Sequence, residues 1–395
     1  MDNKKLNKIP DRINRIDNML KGKTMDSIID SEDKIFKKNN YKDYETSEDI
    51  RNLVPKKYID FVKAINELGG KLLYIKSGST GHTFKGVYPP PNKLNKTNYA
   101  VKIVAYPKKE RYGDVYNSIR PENTELVMIK LLSNFVLKKQ TPHIVLPITT
   151  FNTSIKPFLN LKKDNIVSNK KYDDFLKRYK KGYYYKNVSV LISEWANSGD
   201  LLDYIRKNHH KFKLKHWRSI MFQFLSCLAV IQEKYPSFRH NDLKANNVLV
   251  HTIPKSKTNN KFMYKINGQK YIVPNIGFQL KLWDFDFACI PGVVDNSKVN
   301  DDWTNAINIK PEKNRYYDVH YFFNTLTKKG FFTNFWKDGV VPDKIKEFVK
   351  RVVPKKYRKG KNISERGRLL VNDEYLTPDE IIKTDPLFNI MRYHV

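Results

Sequence analysis

His240-Asn241-Asp242-Leu243-Lys244-Ala245-Asn246-Asn247-Val248-Leu249-Val250 (HNDLKANNVLV) is the stretch on which the reading of this chain turns. It puts a carboxylate, an ammonium group and a carboxamide on one short loop. Asp242 can take a proton from a hydroxyl nucleophile. Lys244 can neutralise charge that develops on a transferring group. Asn247 can offer an amide oxygen to a metal ion. Val248-Leu249-Val250 reads as a strand that anchors the loop, and His240 can pack and hydrogen-bond beneath it. Asn and Asp also favour ordinary polar turns, but a plain turn does not call for this density of spaced chemistry.

Working outward, LWDFDFACI places Asp284 directly after an apolar strand, where it can bind a metal, with Asp286 two positions on. Upstream, YAVKIV sets Lys102 on a strand, and Glu125 in ELVMIKLL is its natural carboxylate partner, with Glu122 the alternative. SGSTGHTFKGV reads as strand, glycine turn, strand. Ile75 leads into it, Gly78 and Gly81 allow backbone N–H groups to approach phosphates, and Thr83 follows. In VLISEWANSGDLLDYI a buried strand ends at Ser193. Glu194 and Ala196 can then present backbone groups to a base, and Asp200 can reach ribose hydroxyls or simply cap the next helix. Ala100 and Leu249 are the apolar candidates to sandwich the ring. Phosphoryl transfer from ATP needs this set: oxygen ligands for Mg²⁺ or Mn²⁺, a cation on the phosphates, a base in line and backbone donors around the nucleotide.

The organisation fits. Residues 1–68 read as a partly helical extension, ending in a helix over Pro55 to Leu68 that Gly69-Gly70 stop. Residues 69–195 hold strand patterns with one helix, RPENTELVMIKLLSNFV, which starts at Pro121. Residues 196–395 are mostly helical. They include a polar segment from Ile253 to Gly277 whose Asn-Gly reads as a hairpin, and a basic C-terminal run expected to be helical, VKRVVPKKYRKGKNISERGR.

Over Leu72 to Gly330 these motifs resemble the eukaryotic-type protein kinase superfamily, whose catalytic loop reads H-x-D-L-K-x-x-N. HNDLKANNVLV, LWDFDFACIPG and RYYDVHYFFNTL are more narrowly similar to the poxvirus late virion serine/threonine kinases and their large-DNA-virus relatives. The resemblance implies an α+β, two-lobed fold: a small antiparallel sheet with one helix, then a larger, mainly α-helical lobe. It implies ATP and Mg²⁺ (or Mn²⁺) as cofactors and protein Ser/Thr hydroxyls as acceptors. Asp242 and Lys244 would then be catalytic with Lys102 and Glu125, and Asn247 and Asp284 would hold the metal. Asp318 would be the buried aspartate that ties the catalytic-loop backbone to the following helix. The chain departs from the pattern at Lys76, which stands for the first loop glycine, and at Thr83, which stands for valine. Asp286 replaces the glycine of D-F-G, and Asn241 replaces the arginine that clamps a phosphorylated activation loop. No A-P-E follows, so activity is expected without activation-loop phosphorylation. The competing readings are a kinase-fold scaffold with weak turnover and a small-molecule phosphotransferase.

Composition sets the outer limits. Against 73 Lys+Arg stand 41 Asp+Glu, a formal net charge of +32. That charge draws polyanions, so acidic protein substrates, nucleic acid and anionic membrane are candidate partners. Nucleic acid is not favoured, because the run from Lys350 to Arg368 carries Tyr357 as its single aromatic. It reads more readily as a solvated face or a docking patch. Cys227 and Cys289 stand far apart and imply neither disulfide nor zinc site. No apolar run approaches the ~18–20 residues of a membrane span. A soluble intracellular protein is expected, in host cytoplasm or virion if viral, with any membrane contact peripheral.

Overall fold

The computed structural model describes residues 9–28, 50, 53–78, 81–88, 97–161, 170–253 and 261–393. The chain divides into two compact units, one of Pro10–Ser133 and Leu146–Trp195, the other containing Asn134–Val145 and Ala196–Val395.

The first unit is built on a five-stranded antiparallel sheet in the order β1-β2-β3-β5-β4. Its strands are β1 (Leu72–Ser77), β2 (Gly81–Tyr88), β3 (Thr97–Pro107), β4 (Pro147–Ser154) and β5 (Tyr184–Glu194). Along β2, His82, Phe84 and Gly86 are buried while Thr83 and Lys85 are half-buried, the period-two pattern of a sheet with one covered face. Central β3 and β5 are buried almost throughout, which is why AVKIVAY and VSVLIS read as near-continuous apolar runs. Gly86 faces Tyr99 across the ladder, and a Cβ there would lie 2.0 Å from the tyrosine ring. The ring therefore requires a glycine opposite it.

The unit also carries α1 (Ile9–Leu20) and α2 (Phe61–Glu67), in the stretch expected to be partly helical; within residues 69–195, where one helix was expected, α4 (Lys170–Lys180) forms besides α3 (Pro121–Leu137). The α2 helix starts later than its apolar spacing suggests, because Asp60 caps it by accepting from Lys63 N. The residues before the cap do other work. Ile59 N donates to Asn152 O at 3.0 Å, and Asn152 returns bonds to Lys57 O and Pro55 O at 2.8 Å. They cover the free edge of β4, which would otherwise present unpaired backbone groups.

The second unit is centred on α6 (Leu214–Lys234), buried from Ser219 to Gln232, and is preceded by α5 (Leu201–Asn208). Phe224 stacks on Phe322 with ring centroids 3.8 Å apart, and Phe222 meets Tyr264, Tyr271 and Phe388. β6 (Val248–Thr252) pairs antiparallel with β9 (Phe278–Leu282). Between them β7 (Lys261–Ile266) and β8 (Gln269–Pro274) form the expected hairpin. Its Asn267-Gly268 turn has φ of 45° and 86°, the pair of positive values a two-residue hairpin demands. A one-turn helix at Asp302–Asn305 and three longer helices follow: α7 (Tyr317–Leu326), α8 (Asp343–Val352) and α9 (Pro378–Thr384).

The basic run departs from its helical expectation. It starts on α8, but no helix forms between Arg358 and Thr377. Gly360 and Gly367 adopt φ of 101° and 88° there, which turns the chain back so that Ile363 bridges Leu369. Tyr357 and Arg368, read as surface, are 2% and 8% exposed. Among the described residues no helix is long and apolar enough to cross a membrane.

Candidate active site

In the second unit, the loop before β6 is held from below by a single carboxylate. Asp318, near the start of α7 and fully buried, accepts from His240 N at 2.6 Å and Asn241 N at 2.9 Å. Burial pushes its carboxyl upward, against the pull of His240, Arg239 and the two backbone donors. Asn241 sits at φ 64°, in the left-handed region that Asn tolerates better than most residues. Its side chain donates to Phe287 O at 3.1 Å. His240 Nε2 lies 3.0 Å from Trp283 O, and its ring meets Phe285 at 5.2 Å. The loop is thus tied to the strand end that carries Asp284. Asp318→Asn is expected to cost about 3 kcal/mol, because His240 N and Asn241 N are received by different carboxylate oxygens and asparagine would set an NH₂ donor against one of these buried N–H groups. A denaturant midpoint left at the wild-type value would refute this account of the loop.

At the tip, Asp242 is surrounded by donors. Lys244 Nζ bonds Oδ2, Asn247 Nδ2 lies 2.9 Å from Oδ2 and 2.8 Å from the Asp242 carbonyl, and Arg368 bonds Oδ1. With its nitrogen committed, Asn247 keeps its amide oxygen as the end available to a cation. Trp283 N donates to Asn247 O at 3.2 Å, which fixes the Asn247 backbone beside the residue before Asp284. Asp284 itself is left-handed, at φ 67°. Asp286, in the glycine's place, is not among the positive-φ residues, so the turn does not ask it for a conformation that only glycine adopts freely. Its carboxylate pairs instead with Lys298, which also lies 3.8 Å over the Phe287 ring. Among the described residues no cluster of three or more His, Cys, Asp or Glu could hold a metal ion. Asn247 and Asp284, the two residues expected to hold a metal, carry oxygen donors of the kind a hard divalent cation takes.

In the first unit, Lys102 Nζ lies 2.5 Å from Glu125 Oε1, with side chains 16% and 5% exposed. The alternative partner, Glu122, faces Arg120 at 3.2 Å. Arg120 is itself fixed on Pro107 O and Gly113 O. Thr83 is the cross-strand neighbour of Lys102. Ile75 is 43% exposed on β1. In the turn between β1 and β2, Gly78 N donates to Gly81 O at 2.7 Å, and the intervening Ser79 and Thr80 lie outside the described residues. A Cβ on Gly81 would fall 2.0 Å from Ile103 O, whereas one on Gly78 would meet nothing closer than 3.7 Å. The backbone approach of β3 therefore accounts for Gly81 without a phosphate, and Gly78 remains free of any packing requirement.

At the end of β5, Ser193 and Ala100 are buried and paired across the ladder. Glu194 N donates to Leu146 O at 3.0 Å. Sequence reasoning missed the partner of its side chain. Arg12 on α1 grips both Glu194 oxygens at 2.7 Å, and Leu146 N donates to one of them at 2.8 Å. In the second unit Ala196 is buried, and Leu249 is half-buried and bridged to Asp200. Asp200 caps α5 by accepting from Asp203 N at 3.0 Å, the simpler of its two expected roles. Arg368 was missed as well.

The protein kinase domain family model matches residues 109–294. That span contains Asp242, Asn247 and Asp284, and leaves Lys102 and Asp318 outside it. A protein of Acanthamoeba polyphaga mimivirus, provisionally named a serine/threonine-protein kinase, is 47% identical over 396 residues, which cover 97% of this chain and 80% of that protein. Serine/threonine-protein kinase 2 of Monkeypox virus is 28% identical over 171 residues, 42% of this chain and 36% of its own. A kinase of Invertebrate iridescent virus 6, also provisionally named, is 42% identical over 89 residues, 20% of this chain and 16% of its own. With a loop built around Asp242 and a relative this similar along nearly its whole length, the chain belongs to the protein kinase family.

Proposed function

We propose that the protein is a viral-type serine/threonine kinase that transfers the γ-phosphoryl group of ATP to hydroxyls of protein substrates. The observation that carries this is Asp242, held by Lys244 and Asn247 on a loop that Asp318 fixes from below. Asp242 accepts the hydroxyl proton. Lys244 neutralises charge on the moving phosphoryl group. Lys102, oriented by Glu125, binds the α/β-phosphates. Asn247 and Asp284 would hold a divalent cation, with Mg²⁺ or Mn²⁺ suited to their oxygens. Bound there, the cation would neutralise charge on the phosphates. In the first unit Ile75, Gly78, Gly81, Thr83, Ala100 and Glu194 are assigned to nucleotide binding, and in the second Ala196, Asp200 and Leu249. The relatives' names support Ser/Thr over Tyr as acceptors. The net charge of +32 favours acidic substrates. An intact Lys102–Glu125 pair weighs against a scaffold without turnover.

The test is incubation of purified protein with γ-labelled ATP, Mg²⁺ or Mn²⁺, and either casein or histone as acceptor. Phosphoserine and phosphothreonine are expected, with casein the better acceptor. Predominant phosphotyrosine would overturn the acceptor assignment, and no label above background would overturn the kinase reading.

A further inference from the structure

Arg368 lies far along the chain from Asp242, in the segment that composition classes as a solvated basic face. It is 8% exposed. One guanidinium nitrogen bonds Asp242 Oδ1, and the other bonds the Asn241 carbonyl and lies 3.2 Å from the Tyr317 hydroxyl. Its Cζ stands 4.0 Å from the centroid of the Tyr321 ring. The fork therefore spans both the side chain of the base and the backbone immediately before it.

Its own segment is built in. Ser364 N donates to Arg368 O at 2.8 Å, and Arg368 N donates back to Ser364 Oγ at 2.9 Å. Asn324 Nδ2 donates to Gly367 O at 2.9 Å from inside α7. Asn308 Nδ2, from the stretch that follows the D-F-D turn, bonds Leu369 O at 2.9 Å. That stretch has further ties without any phosphate. Asn296 Nδ2 bonds Asp286 O and Ala288 O at 3.0 and 3.1 Å, and Arg239 holds Asn308 O at 2.6 Å.

On the kinase reading above, we propose that Arg368 is a positioning residue for the catalytic aspartate, a constant guanidinium clamp delivered by the C-terminal segment. Three features favour a support over an inhibitory plug. Arginine keeps its charge at any working pH. A carboxylate has about four acceptor sites, and Lys244, Asn247 and Arg368 use three, which leaves one for the substrate hydroxyl. Asn324 and Asn308, which hold the backbone on either side of Arg368, are buried, so Arg368 is fixed from both sides.

The experiment uses the full chain as wild type, Arg368→Ala, Arg368→Lys, Asp242→Ala and, as a surface control from the same basic run, Lys355→Ala. Steady-state transfer to casein is measured beside thermal melting. Arg368→Ala is expected to lose about 10²-fold in kcat, the scale of a misplaced catalytic group, with KM for ATP unchanged within a factor of two. Millimolar guanidinium should restore part of that loss, whereas Asp242→Ala should not respond to it. Lys355→Ala should match wild type. If Arg368→Ala fails to fold, Arg368→Lys decides. It keeps the charge but cannot bond Asp242 and Asn241 together, so a clear fall in kcat is expected. Wild-type kcat in either folded Arg368 variant, or higher activity in Arg368→Ala, overturns the proposal while a dead Asp242→Ala leaves the kinase reading standing. Label transfer by Asp242→Ala at the wild-type level overturns both.

Discussion

Asp242→Asn is expected to lower phosphoryl transfer by about 10³-fold, within the range that general-base catalysis supplies, while KM for ATP stays close to wild type. Asparagine keeps the shape of the side chain and an oxygen for Arg368, yet it cannot take up the hydroxyl proton. The effect should therefore fall on kcat, the signature of an interaction made in the transition state. Alanine is the harsher change. It would strand Arg368, which is almost wholly buried, without its carboxylate, and truncating one partner of such a pair destabilises by several kcal/mol. A melting curve beside the rate separates the two contributions. Single-turnover label transfer by Asp242→Asn at the wild-type rate would remove this residue from the chemistry.

The catalytic loop was legible because its chemistry is local. Asp242, Lys244 and Asn247 lie within six consecutive residues and meet on one carboxylate. The Asn-Gly hairpin was legible for the same reason, since two positive φ values are demanded at two adjacent positions. Two pairings across the fold were legible, Lys102 with Glu125 from a strand followed by a helix that begins with glutamates, and Asp318 from the resemblance. Lys102 met Glu125 rather than Glu122, and Asp318 took the loop backbone. Arg12 on Glu194 and Arg368 on Asp242 had no such guide. Neither belongs to a periodic pattern, and each crosses more than a hundred positions of sequence. Composition reads arginine as a surface residue, whereas a buried arginine is placed by the carboxylate and carbonyls that receive it. The irregular stretch after Arg358 lies in a region expected to be mostly helical. The positive-φ glycines at 360 and 367 prevailed. Glycine also misled in the other direction. Gly81 looks like a phosphate loop residue, yet the approach of Ile103 O already requires it.

The second large effect is expected at Lys102. Lys102→Met should lower kcat/KM by about 10²-fold, comparable to removing one preorganised donor from developing charge. Glu125→Gln should lower it less, because glutamine keeps an oxygen toward the ammonium but gives up the charge that holds it. The informative measurement is the double variant. If Glu125 acts only by orienting Lys102, then once Lys102 is gone nothing remains for Glu125 to orient, and the double variant should be no worse than Lys102→Met alone. Losses that multiply would mean that the two side chains act independently and would discard the pairing as a functional unit. Glu122→Gln supplies the contrast. Its carboxylate faces Arg120, fully buried beneath β3 and bonded to Pro107 O and Gly113 O. The cost of that change should appear in the unfolding midpoint, with KM for ATP close to wild type. If the helix that begins with two glutamates gives one to the fold and the other to the nucleotide-binding lysine, the two substitutions should separate in which measurement they move.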